Sequence, residues 1–130
     1  MATYPKCRVA EGNLTRAELN ANSRAGTKIV EPVAGKTITV VDCWMRNVGS
    51  DITGATAIVL EDTGGTDVMS TTAATFNSNA FVRAGASGTT VTNLGVALGK
   101  GKGLRIGCTV GDYATATSMD YVVLYKVDSD

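Results

Sequence analysis

The chain predicts an all-β fold, and three observations carry that expectation. β-Branched residues dominate, with 18 Thr and 15 Val among 130 residues, and 15 Gly stand ready for turns. Short apolar runs, seven to nine of them, recur between glycine-rich breaks. After residue 26 no segment shows apolar periodicity of helix length. Regularly spaced short strands of this kind build a sandwich or a barrel. No internal repeat is visible, so a solenoid or propeller is not expected.

Residues 1–26 are polar, mixed in charge and without period-two alternation. They read as an N-terminal arm, followed by a β-sandwich domain over residues 27–130. Within the arm, Leu14-Thr15-Arg16-Ala17-Glu18-Leu19 has the form of a capping box. Thr15 can accept from the Glu18 amide while the Glu18 carboxylate reaches back, and Leu14 and Leu19 can form a hydrophobic staple. A helix of one to two turns over residues 16–21 follows. It is too short to persist alone in water and must dock. Either it closes one end of the sandwich, or residues 1–13 form an arm that reaches a partner.

Strands are expected from Thr27, with Pro32 marking an edge or an end. The longest candidate is Lys36–Val48, KTITVVDCWMRNV, held between Gly35 and Gly49. Ile38 and Val40 share one parity, whereas Val41, Cys43 and Met45 share the other. Either a bulge near Val40–Val41 shifts the phase, or both faces are covered. Double burial is the expectation adopted, and in so short a chain it implies that another subunit covers the second face. Further strands are expected at Ala55–Glu61, Val68–Thr71, Thr75–Val82, Thr90–Leu98 and Leu104–Val110. The closing strand, Asp120–Val127, sets Tyr121, Val123, Tyr125 and Val127 on one face. Phe76 and Phe81 have opposite parity, which implies an irregularity or burial on two sides.

Composition narrows the function. Twelve basic residues cancel twelve acidic ones, so nucleic acid and anionic membrane are not expected as partners. No stretch reaches the length of a membrane span, and MATYPKCRVAEG lacks a signal-peptide apolar region, so the protein is expected to be made and used without Sec export. The chain has no His, which removes the usual general base, zinc ligand and partner of a nucleophile. No Ser-x-x-Lys is present either. The expectation is a protein without catalysis and without a cofactor.

Cys7, Cys43 and Cys108 have no metal-type spacing. Cys43 and Cys108 read as buried thiols, with a bridge between them as the other reading, and Cys7 as exposed. Glu61, Asp62 and Asp67 flank Gly64-Gly65 and offer hard oxygens of the kind calcium takes, but without the regular ligand spacing; a solvated turn is the expectation. Gly99–Gly103 lacks the spacing of a phosphate-binding loop.

Taken together, LTRAELN, TKIVEPVAGKTITVVDCWMRN, GATAIVLEDTGGT, LGKGKGLRIGCTV and DYVVLYKV form a familiar series. It resembles a group of small structural proteins of tailed bacteriophages, the capsid decoration (cement) proteins and related virion components, over residues 14–128. The resemblance implies a jelly-roll-like antiparallel β-sandwich and a homotrimer that binds the major capsid protein. It implies a place on the capsid surface of the virion, after synthesis in the host cytoplasm. Subunit contacts are then expected at Trp44, Val122 and Leu124. A capsid-contact arm is expected at Tyr4, Pro5, Lys6 and Arg8. The alternative is a receptor- or glycan-binding jelly roll on a fibre, tail or baseplate, for which Tyr4 and Tyr113 are the loop aromatics.

Overall fold

The computed structural model describes residues 6–129 apart from Thr56, Val110 and Asp112. The described residues form β1 (Arg8–Thr15), α1 (Arg16–Asn20), β2 (Thr27–Val30), β3 (Lys36–Val48), β4 (Thr53–Gly54) and β5 (Ala57–Asp62). They continue with β6 (Asp67–Thr72), β7 (Phe81–Arg83), β8 (Thr89–Val91), β9 (Leu104–Thr109), β10 (Tyr113–Ala114) and β11 (Ser118–Ser129).

One sheet has the order β1-β11-β3-β7, the other β2-β9-β5-β6-β8, and β10-β4 is a short ladder beside them. The pairings between these strands are antiparallel. The chain crosses between the sheets at most connections, and β11 returns to lie between β1 and β3. That is the strand order of a jelly roll. The two inner faces enclose one core, with Leu19, Ile38, Met45, Ile58, Leu60, Phe76, Ile106 and Met119 fully buried. Each such side chain contributes about 1.5–3 kcal/mol by leaving water.

The central strand settles its parity break by a bulge. Tyr125 pairs with Val40 and Leu124 with Asp42, so Val41 is an extra residue without a partner on β11. Ile38, Val40, Cys43, Met45 and Asn47 are all buried, whereas Val41 is 43% exposed. The expected double burial is met only at Thr37–Val40, within this chain and without another subunit, and gives way to one-sided burial beyond the bulge. One inserted residue, not a second cover, lets Val40 and Cys43 share the core face.

The N-terminal segment also departs from expectation. Residues 8–15, read as part of a non-strand arm, pair with β11 along their whole length. Their alternation is concealed because a core-side position is Gly12, where an added Cβ would stand 3.1 Å from the Tyr121 hydroxyl. The Tyr121 ring supplies the cover that Gly12 lacks. Next comes α1, with both halves of the capping box formed: Thr15 Oγ1 accepts from the Glu18 amide at 3.3 Å, and Glu18 Oε1 accepts from the Thr15 amide at 3.0 Å. Leu14 and Leu19 are buried. Arg16 donates to the Ala116 and Thr115 carbonyls, and Asn20 brackets the Tyr113 backbone. The helix closes one end of the sandwich.

Two expected strands shrink. In residues 75–82 Phe76 is buried within a turn, and only Phe81–Arg83 pair with β3. In residues 90–98 only Thr89–Val91 pair with β6. The remainder runs beside the first half of β3, where Gly95, Leu98 and Gly101 amides donate to the Val40, Ile38 and Lys36 carbonyls. This satisfies the β3 edge without a regular ladder, and it leaves Val96 exposed.

Candidate interaction face

The outer surface of β1-β11-β3-β7 is built by alternation. On β3, Trp44 and Arg46 stand between the buried residues Cys43, Met45 and Asn47. On β11, Asp120 and Val122 flank Tyr121 and precede Val123, both of which belong to the core side. Leu124 follows, opposite Val9 on one side and Asp42 on the other. On β7, Phe81 and Arg83 bracket the buried Val82. Register places Val122 between Glu11 and Trp44, and Trp44 between Val122 and Arg83.

Three residues expected at a subunit contact, Trp44, Val122 and Leu124, thus share one face, and all are half-buried. Around them Val9 is 55% exposed and Phe81 63% exposed. Apolar side chains this open, gathered on one sheet face, are unlike the scattered apolar residues of an ordinary surface. A shallow hollow of about 40 Å³, open to solvent, lies among Trp44, Arg46, Phe81, Asp120 and Val122.

Electrostatics stiffens one side of this face. Arg83 donates from Nη2 and Nε to Asp42 Oδ2 at 2.6 and 3.1 Å. Its guanidinium carbon lies 5.2 Å from the centroid of the Trp44 ring, a cation–π distance. The Arg83 hydrogen bond holds the Asp42 carboxyl below the usual carboxylate range. On the other side Asn13 donates to Asp120 Oδ1 at 2.9 Å. Phe81, Arg83, Arg46, Asp120 and Val9 were not expected here from sequence. Only the parity conflict between Phe76 and Phe81 hinted at one of them.

The remaining candidates are distributed elsewhere. Lys6 and Arg8 are exposed, Arg8 as the first residue of β1, whereas Tyr4 and Pro5 lie outside the described residues. Tyr113 is no loop platform. It is fully buried, its hydroxyl 3.1 Å from Asn47 Oδ1 and 3.0 Å from the Ser118 carbonyl, and burial pushes the phenol up to about 12. Asp62 is buried and caps its own turn, accepting from the Gly64 and Thr66 amides at 2.8 and 2.9 Å. Glu61 is held by Arg105 at 2.8 Å. Glu61 and Asp62 are thus tied down at the end of β5, while Gly64–Asp67 are exposed as a solvated turn is. Among the described residues no group of three His, Cys, Asp or Glu side chains gathers as a metal site. Cys43 and Cys108 are buried and not joined to each other, and Cys7 is exposed; burial raises the Cys43 thiol to about 12.

No protein-family model matches the chain, and no curated protein does. Among solved structures, it is similar to a chain of the cyanophage Pam1 capsid asymmetric unit, with a TM-score of 0.56 and 16% identity. The match covers 97% of this chain and 88% of that chain. At that identity the likeness is one of fold.

Proposed function

We propose that this protein is a non-enzymatic structural component of a tailed-phage virion, a trimeric decoration protein that binds the major capsid protein and stabilises the head. The observation that carries this reading is a jelly-roll sandwich with one open apolar sheet face. The likeness in fold to a chain of a phage capsid unit supports it. Self-association uses the face bearing Trp44, Val122 and Leu124, and Lys6 and Arg8 contribute to the capsid contact at the exposed start of β1.

The mechanism is mechanical. A bound decoration unit buries surface on several capsid subunits together, so separating them under internal DNA pressure means breaking several contacts at once. Each contact can be modest, because a multivalent unit engages its later sites at high effective concentration. A neutral chain gains little from long-range steering, which makes multivalency the source of occupancy.

Phage heads stripped of this protein provide the test. The full chain is expected to rebind them as an oligomer measurable by light scattering. Deleting residues 1–7, which stops short of β1, is expected to lower binding while leaving the sheet signal in circular dichroism unchanged. A folded monomer that ignores stripped heads would overturn the proposal, and retention on a glycan array by that same monomer would favour a receptor-binding role.

A further inference from the structure

The sheet β1-β11-β3-β7 is open along one side as well as on one face. Hydrogen-bond phase shows what that side offers. The Cys43 carbonyl accepts from the Ala84 amide and the Asn47 amide donates to the Ala80 carbonyl, so beyond the bulge the odd-numbered residues of β3 bond toward β7. Backbone groups alternate in direction along an antiparallel strand. Trp44 and Arg46 therefore bond to Val122 and Asp120 on β11, and Met119, Tyr121 and Val123 bond to Leu14, Gly12 and Ala10 on β1. Left over on β1 are the amides and carbonyls of Val9, Glu11 and Asn13, which point away from the sheet. Thr15, next in that series, has the same phase: its amide turns to the Glu18 carboxylate. From this edge we infer that β1 takes an extended segment of another chain as a fifth, antiparallel strand, with a basic side chain opposite Glu11.

Other strand edges are short or covered. β7 and β8 have three residues each, and β2 has four with a register shift. Gly95, Leu98 and Gly101 cover the first half of β3. By contrast β1 runs for eight residues in unbroken register. From Val9 to Asn13 it has no Pro, no Lys and no bulge, the devices that keep an edge from pairing. Among the described residues, no backbone hydrogen bond outside the ladder with β11 reaches Val9, Glu11 or Asn13. A row of open N–H and C=O groups is matched by one kind of ligand, another extended backbone.

Side chains decide whose backbone it is. Val9, Glu11 and Asn13 share the outer face, and the residues opposite them in an added strand share it too. Asp42 is held by Arg83 and Asp120 by Asn13, whereas the Glu11 carboxylate has no such partner among the described residues. A second copy of β1 does not supply one. Antiparallel pairing opposes residues of like parity, so Glu11 meets another Glu11 or an uncharged residue, because Lys6 and Arg8 have the other parity. The complement is a foreign segment with Lys or Arg facing Glu11 and, two positions on, a β-branched residue facing Val9. Pairing stops at Asn13, since the Thr15 amide is taken and the chain turns into α1. This inference deepens the decoration reading and rests on it for the source of the segment, a capsid subunit.

The test uses the full-length chain and a capped heptapeptide of threonine and valine with one central lysine, beside its glutamate counterpart. With millimolar lysine peptide, amide exchange at Val9, Glu11 and Asn13, read by NMR, is expected to slow by about tenfold, while Ala10 and Gly12 are slow already. The glutamate peptide is expected to bind about tenfold more weakly, and Glu11→Lys to reverse the preference. Glu11→Pro removes an outward N–H, which a strand edge tolerates. It is expected to keep the sheet signal and to lose both the peptide and stripped heads, whereas Ala10→Pro breaks the ladder with β11 and is expected to unfold the chain. Should Glu11→Pro lose its sheet signal, Val9→Pro repeats the test on the same phase.

A lysine peptide that leaves those three amides unprotected overturns the edge site, as does a preference that Glu11→Lys fails to reverse. A folded Glu11→Pro chain that still binds stripped heads overturns the capsid subunit as the partner. Wild-type head binding, measured alongside, keeps the two ideas apart. Peptide capture by a chain that ignores heads sinks the decoration role and leaves the edge site standing. A chain that binds heads and captures no peptide leaves decoration standing and removes the edge site.

Discussion

Replacing Asn47 by Ala is expected to cost about 3–5 kcal/mol, and the figure follows from what this one side chain holds. Asn47 is fully buried on β3. Its Nδ2 lies 2.9 Å from the Ser50 carbonyl, 3.1 Å from that of Phe76 and 3.0 Å from that of Asn77, and its Oδ1 accepts from the Tyr113 hydroxyl. Two amide protons serve three carbonyls, so one of these bonds is shared. Truncation to Ala removes at least three bonds at about 1 kcal/mol net each, and it adds the cost of orphaned acceptors in a closed site. Against a total stability of about 5–15 kcal/mol the loss is large.

Urea unfolding followed by tryptophan fluorescence and circular dichroism measures it. With a slope of about 2 kcal/mol per molar, the midpoint should fall by about 2 M at unchanged slope. Tyr113→Phe removes one hydroxyl, whose single proton is shared between Asn47 Oδ1 and the Ser118 carbonyl, and should cost only about 1–2 kcal/mol. The 76–80 turn that Asn47 holds delivers Phe81 to the outer face, so Asn47→Ala should also weaken self-association. A cost for Asn47→Ala below about 1 kcal/mol, or one no larger than that of Tyr113→Phe, would refute this account of the network.

Three further outcomes are expected. Trp44→Ala should weaken self-association while costing the fold less than the roughly 3–5 kcal/mol of a fully buried aromatic truncation; native light scattering beside urea unfolding separates the two effects. One thiol, Cys7, should react rapidly with a disulfide reagent in the native protein, while Cys43 and Cys108 react only on unfolding, as absorbance counting will show. The Tyr113 phenol has its folded value raised to about 12, so its contribution to stability is complete below about pH 10 and is lost as pH rises toward 12. Tyrosinate absorbance should show that ionisation accompanying unfolding in this window, and Tyr113→Phe should remove its share.

Much of the sandwich was legible because alternation and glycine punctuation write themselves into each strand separately. The capping box was legible for the same reason, since Thr15 and Glu18 satisfy each other within one turn. What stayed hidden depends on neighbours distant in sequence. A one-residue bulge and two-sided burial leave the same parity break around Val41, and only the register against β11 separates them. The edge strand β1 escaped notice because Tyr121 fills the space above Gly12. Tyr113, set among small and polar residues, read as an exposed loop aromatic until Asn47 and Ser118 closed over it. The outer face was legible at Trp44, Val122 and Leu124, but its charged members come from strands whose order no local pattern reveals.

The unpartnered valine in the central strand makes that strand tolerant of an unusual edit. Removing a single residue from the middle of a sheet ordinarily turns everything beyond it inside out. Excising Val41 would instead leave Val40 and Cys43 facing inward and Trp44 facing outward, as they already do. The molecule thus carries a spare position at its centre, where chain length can change by one without the buried and open surfaces trading places.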